Sequence, residues 1–317
     1  MALNLIVRWS TPGVILVATN LLEGHTLLLH AIYQAKLTRA KVLLVHVVRP
    51  SCLRPDVSHE GPSFLPSSAV RTVRAKLDEI VKEFQREGIP CEPIVLAGPP
   101  AEQIRRVVKS RSVDRVIVAT RYASGVARLV EPSVAEELVT TLDVPVCIIG
   151  RRTHPGPACS TPLGRVLLAT SLHSRSPMLA RFASTLAESN HSPLTLLHVL
   201  DTSGMSDQQK ELAQVVAYGK LSGLLPTEAR HRHEPILLIR EGDPATIILD
   251  EAGSFPQDVV VLGAPKPSMV SRILTNSVAH RVVVESQSPV ITINSANVNA
   301  AGEAHEFTRT EEMSTHS

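Results

Sequence analysis

The sequence predicts two repeated doubly wound α/β domains, each with a five-stranded, mainly parallel sheet and helices on both faces. Two observations predict this fold class. Short β-branched and aliphatic runs, such as VILVAT at 14–19, alternate with longer segments of helical periodicity. The same ordered set of segments then occurs a second time within the 317 residues. Right-handed crossovers between parallel strands would place the helices on both faces of the sheet.

The first repeat contains five strand patterns separated by helical ones. Parallel strands are buried on both faces, which explains why these runs are almost continuously apolar. One helix, on which Val70, Leu77 and Phe84 share a face, has Gly88 as its predicted C-cap, and Gly98 precedes the start of the next helix. The predicted strands are VILVAT at 14–19, KVLLVHVV at 41–48, PIVLA at 93–97, RVIVAT at 115–120 and PVCIIG at 145–150.

The second repeat matches the first in order. VLLAT at 166–170 follows ILVAT at a distance of 151 residues, and Gly242 follows Gly98 at a distance of 144, so the second copy has a net deletion between its second and third strands. The predicted organisation is a first domain at 13–150, a Pro- and Gly-rich linker at 151–162, a second domain at 163–293 and a polar, disordered tail at 294–317.

Composition excludes several classes of function. The 32 Lys and Arg residues barely exceed the 30 Asp and Glu residues, so the chain lacks the basic surface on which nucleic-acid binding depends. The longest apolar runs are shorter than the roughly 18 residues of a membrane span, and we expect a cytoplasmic protein. The four cysteines lie far apart and predict structural or incidental thiols; they are Cys52, Cys91, Cys147 and Cys159.

The order of these segments resembles the universal stress protein family, present as a tandem pair. The resemblance depends on the ILVAT-type first strand, the LLHV-type second strand, the G-D-P-A-type turn, the VVVLG-type fourth strand and the S-V-A helix start, each of which occurs in both halves. It implies that the last strands, 145–149 and 289–293, approach each other, so that one chain forms an intramolecular pseudo-dimer. A homodimer of the whole chain and an unknown protein partner are also compatible with it.

The resemblance also implies where a nucleotide would bind. Nucleotide-binding members carry a G-x-x-G-x9-G-S/T loop after the fourth strand, in which glycines reach positive φ and a helix start adds its positive end. They also tend to carry an aspartate after the first strand. In the second repeat the corresponding residues are Gly263, Lys266, Asn276 and Ser277, with Ser171 at the aspartate position. In the first repeat they are Ala119, Tyr122, Pro132 and Ser133, with Asn20 at the aspartate position.

Each remaining polar candidate has a structural alternative. Ser133 and Ser277 could contact phosphate, but each precedes a helical pattern and suits an N-cap, which we favour. His46 and His198 recur at one point of the second strand, where packed side chains are more common than ligands. The HRH segment at 231–233 is interpreted as a solvated loop. No G-x-S-x-G elbow and no recurring Ser/His/Asp set is present, so we predict no catalytic residue and no metal site.

Two classes of function stay open. The preferred one is a non-enzymatic stress-response protein with degenerate nucleotide loops that binds a small ligand or a protein. The alternative is a protein that binds ATP or AMP, or hydrolyses ATP weakly, through its second domain. Because Pro132 has no N–H to donate, we predict that the first repeat is inactive as a nucleotide site and that the second is at best weak.

Overall fold

A computed structural model describes residues 2–21, 25–49, 67–120, 133–155, 163–225, 234–253, 258–264 and 277–294. Several predictions fall outside these ranges: the disordered tail from 295 onward, the loop at 231–233, Cys52 and Cys159, and the loop positions Tyr122, Pro132, Lys266 and Asn276.

Helices and strands alternate in both halves of the chain. The first half contains α1 (Ala2–Ser10), β1 (Val14–Ala18), α2 (His25–Thr38), β2 (Lys41–Val48), α3 (Ser67–Arg86), β3 (Cys91–Ala97), α4 (Pro100–Ser110), β4 (Arg115–Ala119), α5 (Val134–Thr141) and β5 (Val146–Ile149). The second half contains β6 (Val166–Ala169), α6 (Ser176–Ser189), β7 (Leu194–Leu200), α7 (Asp207–Ser222), β8 (Ile236–Glu241), α8 (Pro244–Ala252), β9 (Val259–Gly263), α9 (Val278–Glu285) and β10 (Val290–Ile293).

The ten strands form one continuous sheet in the order β3-β2-β1-β4-β5-β10-β9-β6-β7-β8. All pairs within each half are parallel, which confirms the predicted fold class. Alternate strand residues face opposite sides: Ile15 and Val17 pack with the helices of one face, and Leu16 packs with those of the other. Both core clusters contain residues from both halves, so the two repeats share their core.

The two halves meet at β5 and β10, which pair in the antiparallel direction, as the predicted approach of 145–149 and 289–293 requires. Cys147 lies opposite Ile291, its own counterpart in the other repeat. On the helical layer nearby, His280 Nε2 of α9 lies 3.3 Å from Glu136 Oε1 of α5, and these two residues are also counterparts. A pseudo-two-fold axis therefore passes through both pairs.

Helix α1 was not predicted from the sequence. It packs against α6 of the second half, and Ile6 and Trp9 are each 2% exposed. The buried Arg115 of β4 donates hydrogen bonds to the backbone oxygens of Trp9 and Ser10, at 2.5 and 3.3 Å. The helix has only nine residues and its apolar face matches a surface built by distant segments, so its local signal was weak.

The two described cysteines are unreactive in this structure. Burial raises the pKa of Cys91 to about 12, with Glu92 adding to the shift. Burial also raises the pKa of Cys147, which accepts a hydrogen bond from Gln34 at 3.2 Å. Both thiols stay protonated near neutral pH, in agreement with a structural interpretation.

Among the helices that the structure describes, none carries an apolar stretch long enough to cross a membrane.

Candidate functional site

The same backbone corner follows the first strand of each half. In the first half, Leu21 N donates to Thr19 Oγ1 at 3.0 Å; in the second, Leu172 N donates to Thr170 Oγ1 at 3.2 Å. The two leucines have φ values of 64° and 59°, a region that non-glycine residues rarely adopt. Such a conformation costs of order 1–3 kcal/mol, and residues of this kind cluster at ligand sites.

A histidine holds each corner in place. His46 Nδ1 donates to Thr19 O and His198 Nδ1 donates to Thr170 O, both at 2.8 Å. A carbonyl oxygen can only accept, so Nδ1 of each ring carries a proton. These two histidines tie the second strand to the end of the first, which agrees with the structural interpretation of their recurrence.

In the second half a cleft opens beside this corner. Its volume is about 620 Å³, and it lies at the carboxyl ends of β6, β7 and β9. Strand β6 pairs with β7 on one side and with β9 on the other. The chain passes from β6 to β7 and β8 in one direction along the sheet, and then returns to place β9 on the other side of β6. This is the topological switch point, the position where open α/β sheets bind their ligands.

Apolar and polar residues both line the cleft. Leu197, Val199, Leu262 and Ile248 contribute apolar surface. The polar lining residues are Thr170, Ser171, His173, Ser174, Arg175, Ser176 and His198. Among the cleft residues that the structure describes, none is acidic. A site with a guanidinium and several hydroxyls, but without a described carboxylate, favours an anionic ligand with an apolar part.

Sequence reasoning missed Arg175, His173 and the contribution of His198 to this cleft. Arg175 is the N-cap residue of α6 and makes no side-chain cap hydrogen bond. It follows the strained corner by three residues, so the fold brings it to the ends of three strands. No motif signals it, because its role depends on where α6 begins relative to the sheet.

The predicted second-half residues divide into two groups. Ser171 and Gly263 both line the cleft, whereas the structure describes neither Lys266 nor Asn276. Gly263 ends β9 and is absent from the positive-φ residues of the described chain, unlike the glycines of the family loop. A Cβ there would lie 3.1 Å from Leu179 Cδ1, so close packing against α6 accounts for the glycine.

Ser277 and Ser133 are N-caps, the role favoured from the sequence. Ser277 Oγ accepts from His280 N at 3.1 Å. Ser133 Oγ accepts from Glu136 N at 3.2 Å, and Ser133 N donates to Glu136 Oε2 at 2.8 Å, which completes a capping box. The hydroxyls of both serines therefore bind their own helix.

In the first half, Asn20 follows β1 at the point equivalent to Ser171, and Ala119 ends β4 as Gly263 ends β9. The other two predicted positions of this half, 122 and 132, belong to the undescribed segment 121–132. Among the described residues of the whole chain, no group of three His, Cys, Asp or Glu side chains could hold a metal ion.

The fold defines a tandem, doubly wound α/β protein with a cleft at the switch point of its second half. The sequence matches the model of the universal stress protein family over residues 13–150 and 162–294, so the chain belongs to this family. It is 27% identical over 127 residues to universal stress protein YxiE of Bacillus subtilis strain 168, covering 38% of this chain and 85% of that protein.

Solved structures agree on the fold. A universal stress protein from Archaeoglobus fulgidus DSM 4304 superposes with a TM-score of 0.70 at 19% identity, covering 90% of this chain and 97% of that one. A protein of unknown function, PA1789 from Pseudomonas aeruginosa PAO1, gives 0.59 at 16% identity, covering 90% and 94%. Both matches span nearly the whole chain, which agrees with two copies of the fold in one polypeptide.

Proposed function

We propose that this protein is a non-enzymatic stress-response protein that binds a small anionic ligand in the cleft of its second half. The single observation that supports this proposal most is the cleft lining, in which Arg175 and several hydroxyl groups accompany apolar side chains without a described acidic residue. An adenine nucleotide has both the anionic phosphate and the flat apolar ring that such a lining suits. The first half then serves as the structural partner of the second.

The degenerate loop makes this a modified nucleotide site. Ser171 replaces the aspartate that nucleotide-binding members tend to carry, so the carboxylate contact is lost. We infer that Arg175 supplies charge from the start of α6. A charge-assisted hydrogen bond is worth roughly 1.5–3 kcal/mol, or about 10- to 100-fold in affinity.

Calorimetric titration with AMP and ATP tests the proposal. Arg175→Ala should weaken binding at least tenfold, and Ser171→Leu should block the cleft. The matched control is Asn20→Leu, the same change at the equivalent corner of the first half, which should leave affinity unchanged. Mass spectrometry of the denatured, freshly purified protein would also reveal any nucleotide that it carries.

Other outcomes would count against the proposal. Suppose that Ser133→Ala or Asn20→Leu abolishes binding while Arg175→Ala leaves it unchanged. That result would place the site in the first half. Binding that is lost in a Lys266→Ala, Ser277→Ala double variant but kept in Arg175→Ala would return the phosphate to the loop after β9.

The second candidate function is weak ATP hydrolysis by the same cleft, because doubly wound folds also host hydrolases. Phosphate release above the buffer rate, which disappears in Ser171→Leu and persists in Asn20→Leu, would favour it over simple binding.

A further inference from the structure

The outward face of α7 is unusually apolar. Leu212 and Val215 are 65% and 69% exposed, and Val216 is 46% exposed. Together with Gly219 they recur at i, i+3, i+4 and i+7, which places them in one line along the helix. We call Leu212, Val215, Val216 and Gly219 the α7 stripe. Only Ala217 and Leu221 of this 16-residue helix are buried, on the opposite side.

The matching helix of the first half has no such stripe. Helix α3 also lies between the second and third strands of its repeat and packs against β3 as α7 packs against β8. Its exposed described residues are polar or small: Arg71, Thr72, Arg74, Ala75, Lys76, Glu79, Lys82, Gln85 and Arg86. Since the fold needs no apolar outward face at this position, the α7 stripe requires a different explanation.

Gly219 strengthens this contrast. A Cβ at this position would have nothing within 4 Å, so the monomer gives no steric reason for a glycine. Glycine is nevertheless unfavourable inside an exposed helix compared with alanine. A glycine on an apolar helix face allows the backbone of a second helix to approach closely.

We propose that a second copy of this chain docks on the α7 stripe through its own α7, with the two helices antiparallel. The stripe is self-complementary about the midpoint between Val215 and Val216, because Leu212 and Gly219 lie at equal distances on either side of it. In an antiparallel pair, Leu212 of one copy therefore meets the space left by Gly219 of the other. A two-fold axis through that midpoint makes this interface isologous.

The charges beside the stripe fit the same arrangement. Glu211 and Lys220 also lie at equal distances from the midpoint, on opposite flanks of the stripe. In an antiparallel pair that crosses at about −50°, the commonest class of helix packing, Glu211 comes beside Lys220 of the second copy, once at each end. Within the described chain neither residue forms a salt bridge, and nine positions separate them, too far for pairing within one helix.

The size of the stripe sets the strength of the dimer. A 16-residue helix is about 24 Å long and about 10 Å wide, so one helix pair covers on the order of 250 Å² per copy. Stable interfaces bury roughly 800 Å² per partner. The dimer should therefore be weak and depend on concentration, with dissociation in the range of tens to hundreds of micromolar.

Analytical ultracentrifugation of the full chain from about 1 to 500 µM tests the interface. We expect a monomer at low concentration and a dimer at high concentration. Leu212→Glu and Gly219→Leu should each raise the dissociation constant at least tenfold. Because the space around Gly219 is open in the monomer, Gly219→Leu should also melt no lower than the parent, which separates association from folding. Val7→Glu, at an exposed valine of α1, is the matched control and should leave the dimer intact.

A charge swap provides the sharpest test. Glu211→Lys alone and Lys220→Glu alone should each weaken the dimer at least threefold, and the double variant should recover to within twofold of the parent. A chain that stays monomeric throughout, a dimer insensitive to Leu212→Glu, or a double variant weaker than both single ones would overturn the proposal. So would a monomer that binds anionic phospholipid vesicles through the stripe instead.

Discussion

The two halves of this protein share their backbone corners but differ where they meet. The corner after the first strand is the same in both, with the same threonine, the same left-handed leucine and the same histidine bond. On the pseudo-two-fold axis, however, Glu136 faces His280 and Cys147 faces Ile291. In a dimer of identical chains, such axial residues would have to meet themselves.

Duplication within one chain removes that restriction. An axial glutamate in a symmetric dimer would face another glutamate, which is unfavourable, whereas here its counterpart has become a histidine that can pair with it. The same freedom allows α1 of the first half to pack on α6 of the second. The two halves have thus kept the strands and corners that define the fold. They have diverged at the contacts between the halves, such as Glu136 with His280 and α1 with α6.

The largest expected effect comes from removing the most asymmetric contact. Trp9→Ala should lower the free energy of unfolding by about 3–5 kcal/mol, because it leaves a cavity between α1 and α6. Urea denaturation would measure it. Val7→Ala, at a 44% exposed position of the same helix, should change stability by less than about 0.5 kcal/mol. Equal effects of the two substitutions would mean that α1 does not dock on the second half.

A smaller effect is expected at the axial pair. Interaction with His280 holds the pKa of Glu136 below its ordinary value, with the backbone bond of Ser133 contributing. A carboxyl with a lowered folded pKa stabilises the protein above its unfolded pKa, and this stabilisation is lost as pH falls through the folded value. Glu136→Gln should therefore cost roughly 1.5–3 kcal/mol at pH 7, and the difference from the parent should shrink below about pH 4.

The double variant Glu136→Gln, His280→Gln provides the control for that prediction. If the two residues are coupled, its loss should be smaller than the sum of the single losses. A difference between Glu136→Gln and the parent that stays constant from pH 7 to pH 3 would contradict a stabilising interaction of the Glu136 carboxylate with His280.

The smallest expected effect distinguishes the two helix caps. Ser133→Ala and Ser277→Ala should each cost about 0.5–2 kcal/mol, because each removes the hydroxyl that accepts the cap bond. Ser133→Ala should cost less, because the backbone N–H of residue 133 can still donate to Glu136 Oε2 after the substitution. Thermal unfolding of the two variants under identical conditions measures the order. A larger loss at Ser133 would indicate that this backbone bond does not hold the helix start once the hydroxyl is gone.

Much of the fold was predictable because its signals are local. Buried parallel strands are short apolar runs, and the helices between them repeat at helical spacing, so both the ten strands and the duplication could be recognised in the sequence. The caps at Ser133 and Ser277 were predictable for the same reason. The candidate site was only partly predictable: Ser171 and Gly263 line the cleft, but Gly263 is a packing glycine without positive φ, and the left-handed residue near the cleft is Leu172.

The sequence by itself determined the fold class and the two copies, since apolar periodicity and chain order carry that information, whereas the approach of the last strands was expected from the family resemblance. Only the tertiary structure decided that Arg175 reaches the cleft, that α1 crosses to the second half, and that Glu136 meets His280. Each of these contacts joins residues from different elements of the fold. Its energy depends on both partners, so neither segment shows it in its own sequence pattern.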